Sequence, residues 1–193
     1  MSSIRSHIRS SVFKENSIGE SIKDLFGDLD GRKTVVSTAT VATQLKVNIF
    51  LQEDAQEFFY KLSSGLDKSY VSFEGMKKYP FSEILRGQLE QVIRCKDVDF
   101  ESRKQQLFLD LSVEVEDLVT LEDSLNKYFE ADYLTGDNKY KAGEYGRQDA
   151  EKRLAVLSVP QTICIHLKRF TYDMNADGMT KVKSRSITGL NVI

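Results

Sequence analysis

The sequence predicts an α+β fold in which helices dominate the first third and antiparallel-looking strands the rest. Two stretches, 18 to 29 and 51 to 66, space their apolar residues like helix faces, and the stretch 107 to 116 alternates apolar and polar residues with a period of two. Between and after these, Gly, Asn and Asp cluster as they do in turns.

The first helix opens on Ser17-Ile18-Gly19-Glu20, which reads as a capping box, with Ile18, Ile22, Leu25, Phe26 and Leu29 following at helical spacing until Gly31. Residues 34 to 47 are β-branched and small without a clean period, a connector with room for one short helix. The second helix is expected from Leu51, because Leu51, Ala55, Phe58, Phe59, Leu62 and Leu66 fall within one arc of about 100° at 100° per residue. Glu53, Asp54 and Glu57 would then lie in its first turns, where the helix dipole favours acids; Glu57 and Lys61 form an i,i+4 pair, and Gly65 loosens the end.

Beyond these helices, Leu107, Leu109, Leu111, Val113 and Val115 alternate with polar neighbours, which specifies a strand with one wet face, and RGQLEQVIRC upstream is its expected partner. Thr120-Leu121-Glu122-Asp123 caps a short helix with Leu121, Leu125, Tyr128 and Phe129 inward, and TGDNKYKAGEYG reads as a turn-rich ribbon. After Pro160, QTICIHLKRF suits an interior strand with mixed faces, and DMNADG a turn into a last basic segment.

Composition excludes several function classes. With 27 Lys+Arg against 29 Asp+Glu the formal charge is −2, so no nucleic-acid or anionic-membrane partner is expected. No run reaches the about 20 apolar residues of a membrane span, and the start lacks a secretory h-region, although its basic, Ser-rich character weakly resembles a transit peptide. Two cysteines and no glycosylation sequon favour the cytoplasm or nucleus. Cys95 and Cys164 are too isolated for structural zinc. Asp173-x-Asn175-x-Asp177-Gly178 begins like a calcium loop, but Ser184 stands where a bidentate Glu belongs, so a turn is expected; no cofactor is implied. Cys164 and His166 share a strand face without an evident third group to orient them. In LQEDAQEFFYKL, Gln52 and Asp54 lie at the two margins of the apolar stripe, where half-desolvated groups need partners, either this chain's own N–H groups or a ligand.

QEDAQEF, LRGQLEQVIRCKDVDFESR, DNKYKAGEYGRQDAEK and VPQTICIHLKRF, in that order, resemble the middle portion of a ubiquitin-specific protease catalytic domain, nearest to its herpesvirus-associated branch. The resemblance implies a papain-like cysteine protease fold, incomplete at both ends. Residues 1–16 would be an N-terminal extension, 17–67 thumb helices, 84–150 fingers and palm strands, and 151–193 palm strands. It implies ubiquitin or ubiquitinated proteins as partners, with Gln52, Asp54 and Gln56 bonding to ubiquitin's extended C-terminal tail. The family's nucleophilic cysteine belongs upstream of the thumb, yet residues 1 to 50 hold no cysteine; its general base is a histidine in a Gly-His-Tyr box that this sequence lacks. The four positions matching the family's zinc-binding CxxC pairs include Cys95 with Val98 and Ala142 with Tyr145, which implies no zinc. The expectation is a chain that keeps part of a ubiquitin-binding surface without catalytic residues; the alternatives are a fragment of an active thiol-dependent deubiquitinase and a non-catalytic interaction module.

Overall fold

The computed structural model describes residues 4–31, 35–51, 53–71, 80–174 and 177–182. The chain divides into two compact units, residues 1–84 and 85–193. No helix among the described residues is long and apolar enough to cross a membrane.

The first unit is helical: α1 (Ile4–Ser10), α2 (Ile18–Asp30), α3 (Ala39–Gln44) and α4 (Ala55–Ser69), closed by a 3-10 turn at Phe81–Ile84. Ser17 caps α2 by accepting from Glu20 N–H, while the Glu20 carboxylate reaches back one residue further than expected, to Asn16 N–H at 2.6 Å. The 34–47 connector does contain one short helix, α3. Residues 4–16, read from the sequence as an extension, are folded into this unit. Ile8 is buried, Arg5 and Arg9 pair with Asp30 at the C-terminus of α2, Phe13 bridges to Tyr70, and the Tyr70 hydroxyl meets His7 Nε2 at 2.9 Å.

The α4 helix departs from expectation at both ends. It begins at Ala55 rather than Leu51, and its buried line runs through Ser63, Leu66 and Ser69 instead of Leu51, Ala55 and Phe58, which are exposed. Small residues explain the turn of the face. A side chain at Gly65 would stand 3.2 Å from Ile18 and 3.4 Å from Leu45, so this glycine admits α2 and the end of α3 close to α4 rather than loosening the helix. Ser69 Oγ donates to Gly65 O at 2.7 Å and accepts from Gly19 N–H at 3.2 Å, satisfying a buried donor of α2.

The second unit is built on a four-stranded antiparallel sheet, order β2-β1-β7-β4, from β1 (Gly87–Cys95), β2 (Glu101–Phe108), β4 (Asp132–Leu134) and β7 (Ala150–Ser158). The expected pairing of RGQLEQVIRC with one strand over 107–116 is not formed: β1 pairs with β2 and β7 and meets that stretch only at Leu107 and Phe108. The chain leaves the sheet after Phe108, and β3 (Asp110–Glu114) pairs in parallel with β8 (Cys164–Lys168), Asp110 opposite Cys164 and Ser112 opposite His166. Among the described residues β8 has β3 as its one ladder neighbour, so the expected interior strand stands at an edge. Parallel pairing could not be read from alternation alone, since side chains alternate in both kinds of ladder.

Leu89, Leu111 and Val113 form a core onto which α5 (Leu121–Phe129) lays Leu121, Leu125, Tyr128 and Phe129, the inward set expected. The complete capping box at Thr120 and Asp123 fixes where that helix starts. A second core holds Ile93, Cys95, Ala142 and Ala150, with Val98, Phe100 and Tyr140 against it; three of the four CxxC-matching positions therefore meet in an apolar cluster. Over it runs the expected ribbon, β5 (Tyr140–Lys141) paired with β6 (Arg147–Gln148), which turns through Gly143 and Gly146 at φ of 57° and 69°. A hairpin, β9 (Phe170–Asp173) with β10 (Gly178–Lys181), flanks the DMNADG turn, in which Asn175 lies outside the described residues.

Candidate functional site

The entrance to α4 is built by two local devices. Asn48 folds the chain before the helix: its Oδ1 accepts from Phe50 N–H at 3.0 Å, and its carbonyl accepts from Leu51 N–H at 3.1 Å. This turn holds Ile49, Phe50 and Leu51 outward, 72%, 90% and 67% exposed. Asp54 is then the N-cap, its Oδ1 accepting from Gln56 N–H at 2.8 Å and Glu57 N–H at 3.0 Å. The carboxylate thus satisfies two of the helix's orphan donors and faces the positive end of the helix dipole.

Of the three residues expected to hold a ubiquitin tail, Gln52 lies outside the described residues, Asp54 is the exposed cap, and Gln56 is half-buried in the first turn. Between the two partners the sequence left open for Asp54, the structure supplies the chain's own N–H groups. That does not remove the residue from a ligand's reach, because it remains exposed. Beside it, Lys61 Nζ lies 3.0 Å from Glu57 Oε1 and 3.2 Å from Glu53 Oε2. The pair with Glu57 was legible from i,i+4 spacing; the contact with Glu53 was not, since Glu53 precedes the helix.

The two cysteines stand in different surroundings. Cys95 is 6% exposed inside its apolar cluster. Burial, and then the negative charge of Asp110, push the Cys164 thiol up from its ordinary value, which leaves less thiolate at neutral pH, opposite to what thiol catalysis needs. His166 is engaged elsewhere. The Ser112 hydroxyl donates to Asp110 Oδ2 at 3.1 Å, so its single proton is used, and His166 Nδ1, also at 3.1 Å, donates to Ser112 Oγ. Among the described residues no group of three or more His, Cys, Asp and Glu side chains is placed to hold a metal ion. The Asp110–Ser112–His166 chain is not legible from sequence; alternation puts Asp110 and Ser112 on the wet face of one strand and His166 on an interior strand with mixed faces, and only the parallel register brings them together.

Residues 3–190 match the family model described as ubiquitin carboxyl-terminal hydrolase. The chain belongs to the ubiquitin carboxyl-terminal hydrolase family. It is 34% identical over 173 residues to ubiquitin carboxyl-terminal hydrolase 15 of Schizosaccharomyces pombe, covering 88% of this chain and 15% of the relative. It is 31% identical over 173 residues to ubiquitin carboxyl-terminal hydrolase 7 of Drosophila melanogaster, again 88% of this chain and 15% of the relative. Among solved structures it is similar to a chain of the SAGA Ubp8/Sgf11/Sus1/Sgf73 DUB module bound to ubiquitin aldehyde, at 27% identity and a TM-score of 0.60, over 74% of this chain and 33% of that one. The chain thus spans about 15% of the length of these two curated hydrolase relatives. The match from residue 3 takes in the helical segment before α2 as well as both units.

Proposed function

We propose that this chain of the ubiquitin carboxyl-terminal hydrolase family binds ubiquitin, with the entrance to α4 receiving ubiquitin's C-terminal tail, and does not by itself cleave ubiquitin conjugates. The observation that carries the second half is the state of its two cysteines, one sealed in an apolar core and the other with its thiol pushed up and its neighbouring histidine held by Ser112. Without a thiolate to attack the isopeptide carbonyl and an imidazole to move the proton, acyl transfer has no starting point. The first half is supported by the ordered family motifs and by the likeness to a chain solved with ubiquitin aldehyde. On this reading the chain is the middle portion of a papain-like domain of the herpesvirus-associated branch. Residues 17–67 serve as thumb, 84–150 as fingers and palm strands, and 151–193 as palm, in the cytoplasm or nucleus.

Two measurements test it. Ubiquitin bearing a cysteine-reactive C-terminal electrophile should form no adduct with this chain, and an adduct at either cysteine ends the non-catalytic reading. Titration with labelled ubiquitin should show binding that weakens in Asp54→Asn, which keeps a good N-cap while removing the charge, so that a loss cannot be blamed on a frayed helix. Binding unchanged in Asp54→Asn, or absent in the unaltered chain, defeats the tail assignment.

A further inference from the structure

Residues 4–14 read IRSHIRSSVFK, with three cations, three serines and no acid before Glu15. This stretch is folded as a strap onto α2 and the end of α4: Val71 N–H donates to Val12 O at 3.1 Å and Lys14 N–H to Ser69 O at 2.8 Å. Its cations are not equally matched. Arg5 and Arg9 meet Asp30. Lys14 Nζ instead donates to Lys68 O at 2.9 Å, Lys23 Nζ of α2 donates to Ser11 O at 3.0 Å, and among the described residues neither ammonium has a carboxylate. Ser11 adjoins both, its carbonyl holding Lys23 and Lys14 following three residues later. Its side chain is half-exposed, and its hydroxyl donates to His7 O at 2.8 Å, a carbonyl that Ser10 Oγ also serves at 3.0 Å. That carbonyl therefore keeps a donor without the Ser11 proton.

We propose that Ser11 is a phosphorylation site, modified when the strap lifts by a kinase that reads basic flanks, and that the phosphate then fastens the strap through Lys23 and Lys14. Kinases select acceptors by complementary charge, and here Arg9 stands two residues before the hydroxyl and Lys14 three after, with no acid between. Lifting is a local event: α1 has seven residues, and helices under about 12 residues are marginal on their own. In the transfer, Ser11 Oγ attacks the γ-phosphorus of ATP and the bond from that phosphorus to the β–γ bridging oxygen breaks. ADP leaves with the electron pair, and the hydroxyl proton passes to the kinase's catalytic base. The product carries a charge of about −1.5 to −2 near neutral pH and oxygens suited to charge-assisted bonds. On reclosing it meets two ammoniums that until then faced only neutral carbonyls. The Tyr70 hydroxyl, already bonded to the Ser11 side chain, donates to it as well.

The experiment incubates the full chain with ATP and a protein kinase selective for serines between basic residues, and locates the phosphate by mass spectrometry. Phosphate should enter at Ser11, be absent there in Ser11→Ala, which leaves Ser10 in place, and enter more slowly in Lys14→Ala. Ile8→Ala, which removes the buried anchor of α1, should speed the reaction, since opening limits access. In the phosphorylated chain the Ile8 and Arg9 amides should exchange about two- to fivefold more slowly than in the unmodified chain, and Lys23→Ala should abolish that difference. Lys14 and Lys23 are exposed, so the test stands even where Ile8→Ala fails to fold. No incorporation in the unaltered chain, or incorporation undiminished in Ser11→Ala, overturns the site. Exchange that is unchanged or faster after phosphorylation overturns the fastening role.

Discussion

The helical unit and the sheet unit tie sequence to structure in opposite ways. In the helical unit the starts of α2 and α4 are local, each held by a side chain within a few residues, Ser17 for α2 and Asp54 for α4. What is not local is which face is buried, because close approach at Gly65 and Ser69 turns α4 away from its largest apolar residues. Around β3 the buried face is local, since alternation places Leu111, Val113 and Val115 inward, while the partner strand is not, and at the end of β2 the same alternation fails, Leu107 being 65% exposed. A helix satisfies its own backbone and leaves its packing partner open; a strand must borrow its hydrogen bonds from afar.

The sharpest way to break this contrast is to mutate α4 at two positions that the helical wheel treats as equivalent. Leu66 is 1% exposed and Phe58 is 36% exposed. Leu66→Ala should cost about 2–5 kcal/mol in denaturant unfolding, as for a filled core position. Phe58→Ala, although it deletes the larger side chain, should cost under about 1 kcal/mol. Equal losses would mean that the wheel's stripe, and not the line through Ser63 and Ser69, faces the core.

A smaller effect tests the register of the β3–β8 pair. Ser112→Ala removes the hydroxyl that accepts from His166 and donates to Asp110, whose side chain is buried. The loss should be about 1–3 kcal/mol, the cost of taking one partner from half-buried polar groups. The imidazole Nδ1–H resonance should lose its hydrogen-bonded shift as well. A neutral outcome would mean that hydrophobic burial of Ile165 and Leu167 alone sets the parallel alignment.

Legibility followed the same division. The α+β class, three helices and the turn-rich ribbon were readable because caps, periodicity and turn residues act over a few positions. The sheet switch at Leu109 was hidden, since one unbroken alternation continues from β2 into β3 while the ladder partner changes from β1 to β8. At the α4 entrance, the wheel singled out Asp54 by its marginal position, but its role as cap depends on where the helix begins. The hydrophobic run from Leu51 points to a start four residues early, and the periodicity gives no weight to Asn48. An Asx-type residue ahead of a dense acidic stretch was the signal that could have found the turn.

The finest test returns to locality. Thr120 and Asp123 exchange hydrogen bonds across the first turn of α5, Asp123 N–H to Thr120 Oγ1 at 3.0 Å and Thr120 N–H to Asp123 Oδ2 at 3.0 Å. The Thr120 hydroxyl, with the backbone N–H bonds behind it, holds the Asp123 carboxyl below its ordinary value. A depressed carboxyl stabilises the fold above its unfolded pKa, and that contribution disappears as pH falls through the folded pKa, so α5 should loosen at the acid end and not near neutrality. Thr120→Ala should cost about 0.5–2 kcal/mol and return the Asp123 titration, followed by carboxyl NMR shifts, toward the ordinary range. Because the box is closed within four residues, Leu66→Ala should leave that titration where it is. If the distant core change moves it as far as Thr120→Ala does, helix starts in this protein are not set locally.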